Sequence, residues 1–302
     1  MRKSIALVLI LMLLVGLSID GTMAFQQEQN SDVNVMTDGN VSIVQHEYER
    51  VVNADGSYEM ITSPKYGKGF KLREFTQGKS LYPVVGSATF TNDYVYFDQL
   101  DPDHAAGGQK LYGKLRNIQD KFILVQNTGD TDVYVRTIVA FELGSVAAKN
   151  WTSIIQDGRN TERWKWTNIG AVEIDGNWYY CAYAVYKGNG ASRHNNGAVP
   201  PGDYTYHCLG QIYMKSATTN EDCKAIDGNN NGTYDILVLS QAVQADRSKT
   251  AATLLNGAFG TVNAANIQTW FEGMENPGVL DNTRELLNTI SDGIKEVVLG
   301  EA

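Results

Sequence analysis

The sequence has few of the residues from which catalytic and metal sites are most often built. Its 302 residues include only 3 Cys and 4 His. No pair of histidines has the helical H-E-x-x-H spacing of zinc proteases, since His46-Glu47 is followed by Tyr48. The glycine-rich phosphate loop and the G-x-S-x-G turn of serine hydrolases are also missing. The sequence therefore predicts no catalytic residues.

Positive charge is scarce as well. Lys and Arg number 25 against 34 Asp and Glu, which gives a formal net charge of −9. Binding to nucleic-acid phosphates depends on positive charge, so we expect no nucleic-acid partner. With 43 % hydrophobic residues and only 6 Pro, the chain is long enough to bury a core. Wholesale disorder and collagen-like structure are therefore excluded.

The odd number of cysteines leaves their state open. Cys181, Cys208 and Cys223 have no C-x-x-C spacing, so they match no zinc pattern. In an exported protein they allow at most one intrachain disulfide and leave one thiol over. The alternative is that they are buried free thiols, which behave as small apolar side chains.

The N-terminus has the pattern of a signal peptide. Arg2 and Lys3 precede an apolar stretch, residues 5–17, and small residues at Thr22 and Ala24 suit a cleavage site. Thirteen helical residues rise only about 20 Å, which is short for a membrane span. We expect residues 1–24 to be cleaved, the mature protein to begin at Phe25 and to be secreted, and no stable membrane anchor to remain.

The mature chain up to about residue 246 shows mainly short β-strands separated by turns. In the segment 132–141, Val133, Val135, Thr137 and Val139 alternate with Tyr134, Arg136 and Ile138. Such alternation is typical of a sheet that lies on a core. A turn at 127–130 joins this strand to a strand at 121–126. Residues 172–174 and 178–185 flank a turn and predict a hairpin.

Helical patterns appear at 145–155, 250–259, 264–272 and 281–299. We therefore predict an N-terminal strand segment at 25–45, a β-sandwich domain at 46–260 and a helical appendage at 261–302. The appendage is expected either to dock on the sandwich or to bind a partner.

One loop has the spacing of a calcium site. Asp227, Asn229 and Asn231 alternate before Gly232, and Asp235 follows. This D-x-N-x-N-G order brings oxygen ligands together around one cation. However, Val238 occupies the position where such loops carry a bidentate Glu. The alternative is a plain turn, since Asn-Gly sequences are common in hairpins.

Several segments together resemble a known family. They are the strand pair at 127–142 (N-T-G-D-T-D-V-Y-V-R-T-I-V-A-F-E), the leader that ends T-M-A-F at Phe25, the motif T-D-G-N-V-S-I at 37–43, and the closing segment 235–260 that ends A-F-G. Taken in the order in which they occur along the chain, they resemble the TasA- and camelysin-like exported proteins that a SipW-type signal peptidase processes. The resemblance covers about residues 1–260.

The resemblance implies a mainly β fold, a jelly-roll-like antiparallel β-sandwich with inserted short helices. It also implies an extracellular fibre or biofilm-matrix subunit that forms homopolymers by donor-strand exchange. In that process the N-terminal strand of one copy completes the sheet of the next. The candidate donor residues are Phe25, Val33, Val35, Thr37, Val41 and Ile43.

Other interpretations remain open at this point. The N-terminal segment can instead pair within its own sandwich or be a frayed terminus. Camelysin-like relatives bring in a secreted metalloprotease as an alternative function. A monomeric surface-binding module is a third, because the aromatic stretches 164–166 and 178–180 suit a ligand platform as well as core packing.

Overall fold

The structure is a computed structural model that describes residues 34–37, 41–51, 53, 59–63, 67–76, 81, 83, 118–188, 194–230, 232 and 234–272. All of them belong to the unit of the chain that begins at Asp32. The predicted signal peptide, Phe25 and Val33 lie outside the described residues. So does the predicted helix at 281–299.

The described residues form thirteen β-strands and four α-helices. The strands are β1 (Asn34–Thr37), β2 (Ile43–Arg50), β3 (Met60–Ser63), β4 (Gly67–Phe70), β5 (Leu72–Glu74), β6 (Gln119–Asp120), β7 (Phe122–Asn127), β8 (Val133–Glu142), β9 (Ile155–Arg159), β10 (Trp164–Ile174), β11 (Asn177–Tyr186), β12 (Leu209–Met214) and β13 (Ile236–Gln244). The helices are α1 (Ala148–Ile154), α2 (Asn220–Ile226), α3 (Ala251–Phe259) and α4 (Ala264–Phe271).

One layer is a five-stranded sheet in the order β1-β13-β8-β11-β10. Its inner pairs are antiparallel, and β13 runs beside β8 from the pair Ile236–Phe141 to the pair Gln244–Val133. The strand β1 is the exception, because it lies parallel to β13 at one end of the sheet. The predicted hairpin is confirmed, with β10 and β11 joined at Asp175-Gly176.

The opposite layer combines the sheets β5-β2-β7 and β6-β12-β9. Backbone hydrogen bonds connect them, since Cys208 N–H donates to the Ile123 carbonyl and Lys121 N–H to the Gly210 carbonyl. The strands β7 and β8 follow each other in sequence but lie in different sheets. They are therefore not the two arms of one hairpin, because the turn after Asn127 carries the chain from one layer to the other.

The main core lies between the two layers, and a second apolar cluster lies on the far side of the five-stranded sheet. Val133, Val135 and Val139 belong to the main core, whereas Ile138 belongs to the second cluster. The alternation predicted for β8 is confirmed, and both of its faces are buried. The predicted fold class, a mainly β sandwich with inserted short helices, is confirmed as well.

Helices α3 and α4 cover the outer face of the five-stranded sheet. Leu255 of α3 packs with Tyr134, and Ile267, Trp270 and Phe271 of α4 join the second cluster. Thr250 and Asn263 cap the two helices through their side chains, as expected for these residue types. The helix at 264–271 therefore docks on the sandwich, which is one of the two arrangements expected for it.

Candidate functional site

The N-terminal strand β1 occupies one end of the five-stranded sheet. Its four residues pair with β13 in the register Asn34–Leu239, Val35–Ser240, Met36–Gln241 and Thr37–Ala242. Two of the predicted donor residues, Val35 and Thr37, thus lie in a strand at the edge of a sheet. In the single chain that strand pairs with the chain's own β13.

Val41 and Ile43 do not belong to this strand. Both side chains are buried in the main core, with 7 % and 5 % exposure. Ile43 starts β2 and pairs with Asn127 of β7 in the opposite layer. The predicted 25–45 segment is therefore divided between two sheets, and the candidate donor ends before Val41. An apolar sequence does not reveal which layer each residue joins, because either layer buries such side chains.

The strand β13 is held in place from inside the core. The Ser240 hydroxyl donates to Gln45 Oε1 at 2.7 Å and lies 3.0 Å from the Thr137 hydroxyl. All three side chains are fully buried. A buried hydroxyl that keeps its partners avoids a desolvation cost of about 1–3 kcal/mol. This contact ties β13 and β8 to β2, so it joins the two layers beside β1.

Arg136 holds β13 from the other face. Its guanidinium donates to the Gln241 side chain, to Asn256 Oδ1 at 2.8 Å and to the Gly260 carbonyl at 3.0 Å. It also lies 5.2 Å from the centre of the Trp270 ring, within cation–π range. Burial lowers the pKa of Arg136 to about 10. One side chain therefore joins β8, β13, α3 and α4.

The candidate calcium loop lies just before β13. Asp227 accepts a hydrogen bond from Gly232 N–H at 2.9 Å, and Asn229 donates its side-chain amide to Asp235 at 2.6 Å. Asn231 lies outside the described residues. Val238 is 4 % exposed and packs in the main core. The described oxygens therefore hold the loop together through its own hydrogen bonds.

Sequence analysis missed the carboxylate beneath this loop. Glu142 is fully buried at the end of β8 and accepts hydrogen bonds from Gly228 N–H at 2.8 Å and Asp235 N–H at 3.0 Å. Burial raises the pKa of Glu142 to about 7. The sequence carries no signal for this role, because the partners lie 86 and 93 residues away. Glu142 fixes the loop at the point where β13 starts.

The three cysteines are free thiols. Cys181 belongs to the cluster under α4 and Cys208 to the main core, on opposite sides of the five-stranded sheet. Burial raises the pKa of Cys181 to about 12. Cys223 is half-buried, and its sulfur lies 3.6 Å from the Met214 sulfur. Of the two states left open by the sequence, the structure has the free thiols.

The three described histidines have separate partners. His46 hydrogen-bonds Gln126, His194 bridges Tyr186 and Asp203, and His207 packs against Phe122. Within the described residues, no group of three His, Cys, Asp or Glu side chains is placed to hold a metal ion. His104 lies outside the described residues.

The two aromatic stretches are divided between core and surface. Trp164 and Tyr179 are buried, with 1 % and 5 % exposure, and Trp164 donates its indole N–H to the Tyr206 carbonyl. Trp178, beside the hairpin turn, is 46 % exposed. Trp164 and Tyr179 of the two stretches therefore pack inside the protein, and Trp178 is exposed to solvent.

Comparison with known proteins gives no relative: no family model, no curated protein and no solved structure matches this chain. No helix in the part of the chain that the structure describes has the length and hydrophobicity needed to cross a membrane.

Proposed function

We propose that this protein is an exported structural subunit of an extracellular fibre or biofilm matrix, and that it polymerises by donor-strand exchange through its N-terminal segment. The observation that carries the proposal is the position of β1. It is a four-residue strand at the end of a sheet, and β13 is its strand partner in the described structure. It is also the first described strand of the chain.

A short edge strand of this kind is replaceable. When β1 leaves, a row of backbone N–H and C=O groups opens along β13, and an extended segment from another copy satisfies them. The incoming β1 makes the same contacts in the same register, so exchange costs little beyond the ordering of the connecting segment. This is the energetic logic of strand swapping between identical chains.

The acceptor strand keeps its place without β1. Nine residues of β13 pair with β8, Ser240 bonds Gln45 across the core, and Gln241 accepts from Arg136. The contacts that position β13 therefore come from β2, β8 and the helices. These contacts do not depend on β1, which favours an empty slot that keeps its shape and captures a second copy.

Export is the second part of the proposal. Removal of residues 1–24 by a SipW-type signal peptidase leaves Phe25 as the new N-terminus, ahead of β1 by nine residues. The partner is then a second copy of this chain outside the cell. The formal charge of −9 suits an assembly that does not bind nucleic acid.

Electron microscopy of two purified chains tests the proposal. We expect the mature chain from Phe25 to form filaments, and the chain that lacks residues 25–37 to remain monomeric. Circular dichroism should show that the truncated chain keeps its β structure, because Val41 and Ile43 remain in the core. Filaments of normal length from the truncated chain would contradict the proposal.

A further inference from the structure

The opposite end of the five-stranded sheet is also a strand edge. The strand β10 is the last in the sheet order and has eleven residues, against four in β1. No other described strand pairs with its outer side. A long strand with an open edge is a natural site for addition of another chain. Two features of β10 work against such addition.

The first feature is a β-bulge in the middle of the strand. Asn168 pairs with Ala182 and Gly170 with Cys181, so Ile169 is an extra residue without a partner on β11. Gly170 has φ of 104°, a conformation that glycine adopts at little cost. A bulge bends the strand and interrupts the regular spacing of its outer N–H and C=O groups.

The bulge also reverses the faces of the strand. Trp164 and Trp166, before Ile169, pack in or against the main core, whereas Val172 and Ile174, after it, join the cluster under α4. If the strand alternated regularly through Ile169, all four even-numbered residues would point to the same side of the sheet. The extra residue therefore sets the faces of this sequence, with Val172 and Ile174 toward α4.

The second feature is charge along the strand. Lys165 and Glu173 are exposed on either side of the bulge. Between them, the Arg159 guanidinium donates to the Asn168 side chain and lies 4.8 Å from the centre of the Trp166 ring. Charged side chains on an edge strand must be desolvated when another strand pairs with it, and this opposes pairing.

We infer that the bulge at Ile169 and the charges of Lys165 and Glu173 protect the β10 edge from strand addition, so that a second copy of this chain adds only beside β13. The addition of a second copy beside β13 rests on the proposed function, but the protection of the β10 edge does not. The two ends of one sheet thus have opposite roles, which restricts assembly to one dimension.

Hydrogen–deuterium exchange and analytical ultracentrifugation of the mature chain test the inference. For the natural chain we expect the exchange of amides in 164–174 to stay unchanged as concentration rises, whether or not filaments form. For the variant Lys165→Thr/Glu173→Thr we expect self-association to strengthen about tenfold, equivalent to about 1.4 kcal/mol. Exchange should slow in 164–174, since threonine favours β-pairing.

The matched control is Lys224→Thr/Glu221→Thr, which removes one exposed charge of each sign from α2, away from β10. The control should associate like the natural chain, and thermal melting should confirm that both variants fold. Slower exchange at 164–174 in assemblies of the natural chain would overturn the inference. So would a Lys165/Glu173 variant that associates no more than the control. A failure of donor-strand exchange would appear instead as unchanged pairing between β1 and β13.

Discussion

The two edges of the five-stranded sheet differ in length, in strand pairing and in their connection to the rest of the chain. At one edge, β1 contributes four residues in parallel pairing from the N-terminal part of the chain. At the other, β10 contributes eleven residues, a bulge and two exposed charges, and it is joined to β11 by a two-residue turn. With the proposed processing, β1 lies near the N-terminus of the mature chain and can leave and return, whereas a strand held in a hairpin cannot leave without its partner.

The two edges also differ in what lies behind them. Next to β1, β13 is bonded to the opposite layer through Ser240, and Arg136 links it to α3 by a hydrogen bond and to α4 by a contact with the Trp270 ring. Next to β10, the outer helix α4 packs on the edge strand itself. At one edge, therefore, the stabilising contacts are made by β13, the neighbour of the last strand. At the other edge they are made by the last strand, β10, itself. This difference supports the proposal that β1 exchanges between chains while β10 stays in place.

Deletion of Ile169 should have the largest effect on this comparison. It removes the bulge but leaves every β10–β11 pair with its partner, so Val172 and Ile174 still face α4 while the edge of β10 becomes regular. We expect the chain to fold and its self-association to strengthen more than about tenfold, because a regular edge accepts another strand more readily. Analytical ultracentrifugation measures the association, with Ile169→Ala as the control that keeps the bulge. A deletion variant that associates no more than this control would show that the bulge does not protect the edge.

Replacing Arg136 should weaken the support behind β13. Arg136→Ala removes three hydrogen bonds and two ring contacts within a buried site. We expect a loss of about 3 kcal/mol in the free energy of unfolding. Arg136→Lys should recover part of it, because it keeps the charge without the planar fork. Equal stability of the Ala variant and the natural chain would contradict the proposed support of β13.

The raised pKa of Glu142, beside the start of β13, should make the free energy of unfolding depend on pH. Its pKa of about 7 in the folded chain lies above the ordinary value near 4.5. The folded chain therefore takes up a proton before the unfolded chain does, and stability rises as pH falls through 7 toward 4.5. The gain is at most about 3 kcal/mol, at 1.36 kcal/mol per pKa unit.

Chemical denaturation between pH 8 and pH 5 checks this dependence. The informative quantity is the difference in unfolding free energy between the natural chain and Glu142→Gln, because other groups titrate in both proteins. We expect this difference to shift in favour of the natural chain as pH falls. A difference that does not change with pH would show that Glu142 keeps an ordinary pKa.

Calcium should have the smallest effect. Asp227 and Asp235 already accept hydrogen bonds from their own loop, and Val238 supplies no ligand. We expect the melting temperature to move by less than about 2 °C between excess calcium and a chelator, since only a tightly bound ligand shifts it further. A larger rise that Asp235→Asn abolishes would instead establish a calcium site beside the β13 edge.

The sequence predicted those features that depend on local patterns. The alternation in β8, the hairpin at Asp175-Gly176 and helices α1, α3 and α4 all follow from periodicity and turn residues within one segment. The many short strands also predict a sandwich. The sequence does not predict which layer each strand joins, because β7 and β8 both bury apolar side chains and yet lie in different sheets.

The features of the candidate site that were missed depend on distant residues. Arg136 lies 120 residues from Asn256, and Glu142 lies 93 residues from Asp235. A charged residue on an apolar strand gives no sign of the partner that it will meet after folding. The bulge at Ile169 was missed for a related reason, since it is defined by pairing with β11 and not by the sequence of β10 alone.

Donor-strand exchange requires that β1 of one chain pairs with β13 of another. In the register of the structure, Thr37 lies opposite Ala242. Chains that carry Thr37→Cys are mixed with isotope-labelled chains that carry Ala242→Cys, both with Cys223→Ser to remove the half-buried natural thiol. One chain with both substitutions at 37 and 242 is the control, which shows that the pair can form a disulfide.

After oxidation, mass spectrometry identifies any disulfide between positions 37 and 242 and whether it joins labelled to unlabelled chains. Donor-strand exchange predicts that such mixed dimers form at assembly concentrations. If the control chain closes its internal disulfide but the mixture gives no mixed dimer, β1 remains on its own β13 and the exchange account is wrong.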